Sequence, residues 1–95
     1  MKTLADIKRR AVPGARLETV ENTYNPALAG TRRTIRIKQT SAIASIIGEG
    51  DSQKRGDLFW TYWPKASQVE ILDSDTFRLH LWGSQPDQYV TLRFL

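Results

Sequence analysis

Apolar residues recur along this chain at two different periods. At the N-terminus Leu4, Ile7 and Ala11 return at helical spacing. Thr3 precedes them as a cap, with Asp6 as the acidic partner of a capping box. Lys8, Arg9 and Arg10 fall late in this helix, where cations offset the negative end of the macrodipole. Pro13-Gly14 stops it. From there the period drops to two. Residues Ala15 to Thr23 read as a strand with a weak burial pattern. Asn25-Pro26 opens a loop that Gly30 ends.

The clearest strand signal is Thr31–Thr40, where Arg33, Ile35, Ile37 and Gln39 share one face and Arg32, Thr34, Arg36, Lys38 and Thr40 the other. Ile35 and Ile37 are expected inside, so Arg32, Arg36 and Lys38 project outward together. The strand is expected to carry on, bent, through Ser41–Ile47. The glycine-rich, charged stretch 48–57 reads as a mobile loop. Leu58–Trp63 is dense in β-forming aromatics and ends at Pro64. One face of it carries Trp60 and Tyr62, the other Phe59, Thr61 and Trp63. One set is core, and the pattern leaves open which. Lys65–Gln68 reads as a single helical turn, Val69–Leu72 as extended, and Asp73-Ser-Asp75 as a turn. Thr76–Trp82 and Tyr89–Leu95 alternate cleanly and predict a hairpin with Phe77, Leu79, Leu81, Val90, Leu92 and Phe94 inside.

Short strands with frequent turns in a single domain spanning 1–95 predict a mainly β protein. The expected form is a small SH3-like barrel, closed or half-open, of five to six antiparallel strands over 15–95, after one short helix within 1–14. The local sequence adds to this. Trp60-Thr-Tyr-Trp-Pro-Lys-Ala-Ser-Gln-Val69 resembles the stretch of SH3-type barrels in which an aromatic strand ends in a proline-led single turn before the last strand. A second resemblance runs through Val20-Glu-Asn-Thr-Tyr-Asn-Pro26, Gly30-Thr-Arg-Arg-Thr34, Trp63-Pro-Lys-Ala-Ser67 and Asp75-Thr-Phe77. These segments are similar to short proteins of actinobacteria and their phages that have no assigned activity. That resemblance implies an accessory or phage-borne role and supplies no mechanism.

Composition narrows the chemistry. The chain has no cysteine and one histidine, His80. Disulfide scaffolds, thiolate catalysis and cysteine-ligated metals are excluded, and no cofactor is expected. His80 would need an orienting acid and a nucleophile to act as a base, and Asp73 and Asp75, close to it in sequence, read as turn residues. An enzyme is not expected. No run of 18 apolar residues is present, and MKTLADIKRR has no apolar signal core, so a cytoplasmic, non-spanning protein is expected.

The formal net charge of +4 is uneven. Residues 1–55 carry eleven Lys or Arg against five acids, a balance of +6, and residues 56–95 carry three against five, a balance of −2. A positive field of this kind favours anionic partners. Arg32, Arg33, Arg36 and Lys38, with Lys54 and Arg55, are the candidates for holding phosphates or other anions. Trp60, Tyr62 and Trp82 are the candidates for stacking on bases or for a hot spot in a protein interface. Two functions follow. The leading one is a non-catalytic protein that binds a host or partner protein; the alternative is a nucleic-acid-binding module. An unpaired edge strand would also offer a route to a homodimer.

Overall fold

The computed structural model describes residues 1–47, 58–80 and 87–95. Its elements are helix α1 (Leu4–Arg10) and strands β1 (Arg16–Asn22), β2 (Arg32–Lys38), β3 (Ala42–Ile47), β4 (Leu58–Tyr62), β5 (Val69–Ile71), β6 (Thr76–Leu79) and β7 (Val90–Phe94). Single 3-10 turns at Pro26–Leu28 and Ala66–Gln68 join β1 to β2 and β4 to β5. All seven strands form one antiparallel sheet in the order β4-β3-β2-β1-β7-β6-β5. Two meanders, β1 to β4 and β5 to β7, are therefore joined along the β1–β7 ladder.

The mainly β expectation holds, but the barrel does not: among the described residues the sheet has seven strands and stays open, with β4 and β5 as its edges. Two local causes are visible. The chain reverses at Gln39–Ser41, with Gln39 N–H donating to Ala42 O at 2.8 Å, so Ser41–Ile47 is not a bent continuation of β2 but a separate strand hairpinned to it. Between β4 and β5, Pro64 has no N–H to give a ladder, and the chain spends residues 63 to 68 on a connection that ends in the 3-10 turn Ala66–Gln68 instead of a tight hairpin. The sheet is strongly coiled all the same, because β4 at one edge and Leu79 of β6 near the other line one cavity.

Helix α1 forms as its sequence dictates. Asp6 N–H donates to Thr3 Oγ1 at 3.3 Å and Thr3 N–H to Asp6 Oδ2 at 3.1 Å, a reciprocal capping box. The helix buries Ile7, and Ala11 beyond it, against the concave face of the sheet. The chain leaves it through Gly14, whose φ of 92° suits a residue without a Cβ and whose N–H reaches Ile35 O at 2.8 Å. Arg10 seats the helix end, bonding Ser74 O at 2.8 Å and lying 4.3 Å above the Phe94 ring.

The core lies on the concave face: Leu17, Ile35, Ile43, Phe77, Leu79, Val90, Leu92 and Phe94 are buried, with the Phe77 and Phe94 rings 5.5 Å apart. The C-terminal hairpin is in register as its alternation predicts, Phe77 opposite Leu92 and Leu79 opposite Val90. Ile37 departs from expectation and is 40% exposed. The β2–β3 register shifts between Ile35, opposite Ser45, and Ile37, opposite Ala44. This β-bulge at Arg36 inverts the alternation for the rest of the strand. Leu81, and the loop expected over 48–57, lie outside the described residues. Among the described residues no helix is long and apolar enough to cross a membrane.

Candidate functional site

The bulge dismantles the expected basic row. Arg32 lies opposite Glu18 on the convex face, with its Nε 3.7 Å from Glu18 Oε2, and Arg93 pairs with the same carboxylate. Arg36 is the exposed bulge residue. Lys38 lies opposite the buried Ile43, on the other face from Arg32, and its ammonium donates to Lys8 O at the end of α1. The three cations therefore do not share a face. Lys54, Arg55 and Trp82 lie outside the described residues.

Arg33 departs furthest from its expected role as a flanking surface cation. It precedes the bulge, so it shares the inner face with Ile35 and is only 8% exposed. Burial in an apolar setting disfavours its charge and lowers its guanidinium pKa below the usual value. A guanidinium has five N–H donors. Among the described residues Arg33 makes one hydrogen bond, Nη2 to Thr19 Oγ1 at a long 3.4 Å, and no carboxylate pairs with it. Its Nε is buried with no partner among the described residues.

Arg33 stands on the wall of a half-open cavity of about 350 Å³, within the range of small-ligand sites. The cavity occupies the concave face beside edge strand β4. Leu28 closes it from the first 3-10 turn, Pro64 from the second connection, and Leu79, Val90 and Leu92 from the floor of the C-terminal hairpin. Trp60, Tyr62 and Trp63 complete it from β4 and its exit. The sequence left open which aromatic set is core. Trp63 is half-buried and packs against the core, while Trp60 and Tyr62 are 44% and 67% exposed. Trp63 lies under Lys8, with the ammonium 5.8 Å from the ring centroid, and its Nε1 is a second buried donor without an acceptor among the described residues. Two orphaned donors thus stand on the walls of one apolar cavity.

His80 has an orienting acid, though not one near it in sequence. Glu70 Oε1 on β5 lies 2.7 Å from Nε2, and Gln88 O faces Nδ1 at 3.1 Å. Both ring nitrogens thus face acceptors of the fold itself, which tie His80 to β5 and to the segment just before β7. Asp73 instead turns the chain, its Oδ1 accepting from the N–H groups of Asp75 and Thr76 at 2.9 Å each. Among the described residues no three His, Cys, Asp or Glu side chains gather as metal ligands.

The inward Arg33 was legible as a polar residue on the apolar parity of its strand. Its role as the charged wall of a cavity was not, because Leu28, Trp63 and Leu92 meet it only through the coil of the sheet. Compared with protein-family models, curated proteins and solved structures, the chain matches none.

Proposed function

We propose that this protein is a non-catalytic binding protein of the cytoplasm that takes up an extended segment of a partner protein along β4 and over the adjoining pocket. The observation that carries this reading is the juxtaposition of an unpaired edge strand with exposed Trp60 and Tyr62 on an apolar cavity. An edge strand offers main-chain N–H and C=O groups to an incoming strand, and a pocket beside it reads side chains. Exposed Trp and Tyr supply contact area at little conformational cost. The nucleic-acid alternative draws less support, because the cations it needs are divided between two faces.

The test is selection of peptides from a random library against the isotope-labelled protein, followed by mapping of amide shifts. Selected peptides should perturb residues 60 to 63, and a Trp60→Ala/Tyr62→Ala variant should bind them at least about tenfold more weakly. Shifts confined to the β5 edge would defeat the reading. So would concentration-dependent dimerisation that accounts for all the β4 shifts, since a second copy would then be the occupant.

A further inference from the structure

We propose that the Arg33 pocket reads the C-terminal carboxylate of the partner segment together with its last, apolar side chain. The inference rests on the β4 reading above and adds what the pocket recognises. A guanidinium that is 8% exposed, with a buried unpartnered Nε and no carboxylate beside it among the described residues, is a charge in want of a counter-ion. The cavity it borders supplies the room, about 350 Å³. Trp63 Nε1 supplies a second unpartnered donor on the same walls.

The chemistry of the walls restricts the anion. A planar guanidinium matches a planar carboxylate through two parallel hydrogen bonds. A phosphate dianion would set two negative charges against the single guanidinium on these walls and leave one of them uncompensated beside Leu28, Leu79 and Leu92. The anion is therefore a monoanionic carboxylate carried on an apolar group. An Asp or Glu side chain brings the carboxylate without the apolar body. A C-terminal Leu, Val or Phe brings both, and it brings them at the end of an extended backbone, the form that an edge strand pairs with.

The experiment titrates the full chain with hexapeptide pools randomised at all positions but fixed at a C-terminal Leu, Val or Phe, made as free acids and as C-terminal amides. Octanoate and 3-phenylpropionate serve as free small carboxylates. Tryptophan fluorescence and amide shifts are the readouts. The free acids should bind at least about tenfold more tightly than the amides. That preference should vanish in Arg33→Met and survive in part in Arg33→Lys. Binding should also change little between low and moderate salt, as expected of a buried contact and unlike a surface phosphate site. Equal affinity for acid and amide overturns this inference and leaves the β4 reading standing. No peptide binding in either form overturns both. Octanoate or phenylpropionate binding as tightly as the peptides, with residues 60 to 62 unmoved, overturns the peptide terminus in favour of a free small carboxylate. The acid–amide comparison needs only the wild-type chain, so it decides the matter even where an Arg33 variant folds poorly.

Discussion

Replacing Arg33 with methionine removes a charge and keeps an apolar stem of similar length, and the unliganded protein should become more stable. Breaking a buried ion pair costs about 3–5 kcal/mol because it strands one charge, and replacing buried ions by apolar residues of similar volume is often neutral or gains about 1–4 kcal/mol. In this protein the stranded state is the native one: four of the five guanidinium donors find no partner among the described residues, and the fifth makes a 3.4 Å bond to Thr19. Loss of that bond takes back little. The cavity is open on one side, so solvent within it offsets part of the burial cost and the upper end of the range is out of reach. A gain of about 1–3 kcal/mol is expected. At about 2.1 cal/mol/K per residue, a 95-residue chain unfolds with roughly 200 cal/mol/K, so the midpoint should rise by about 5–15 °C. Urea unfolding at unchanged m-value is the assay. A loss of more than about 1 kcal/mol at the same m-value would show that the guanidinium is structurally satisfied, and the argument for a missing counter-ion would fall.

Three further outcomes follow from the fold. Phe77→Ala opens the centre of the concave core and should cost about 3–5 kcal/mol, a large share of the stability of so small a domain; a cost below about 1 kcal/mol in urea unfolding would contradict its full burial. The bulge at Arg36 separates two isoleucines that alternation alone would treat alike: Ile37→Ser should change stability by no more than about 0.5 kcal/mol, whereas Ile35→Ala should cost about 2–4 kcal/mol, and similar losses at both would place the bulge elsewhere. Asp6 and Asp73 have carboxyl pKa values held below the usual range, chiefly by backbone N–H donors from Lys2 and from Asp75. Their folded-state values lie below the unfolded ones, so their stabilisation is complete above the ordinary carboxylate range and drains away as the pH falls through the depressed values. Asp6→Asn and Asp73→Asn should therefore lose most against wild type near neutrality and converge with it in acid; a difference that does not vary with pH would show that the carboxylate charge plays no part.

Much of the local structure was decided by sequence alone, because it depends on contacts a few residues apart. Thr3 and Asp6 cap α1 from three positions away, Asp73 closes its own turn, Pro64 ends β4, and the 76–95 hairpin takes its register from strict alternation. Wherever that alternation runs unbroken, as in Phe77, Leu79, Val90, Leu92 and Phe94, the core was legible too. The tertiary structure decided the rest. One unpaired residue at Arg36 reverses the facing of everything after it, which exposed Ile37, sent Lys38 to the far side and dissolved the basic row. Whether the sheet closes depends on β4 and β5, neighbours in sequence that lie at opposite ends of the strand order, and among the described residues they do not pair with each other. The pocket exists only because the coiled sheet carries Leu28, Trp63 and Leu92 to the side of Arg33. An alternating pattern sets which way a residue faces, but the neighbours it meets there, and whether they satisfy its charge, are fixed by pairings that no local pattern encodes.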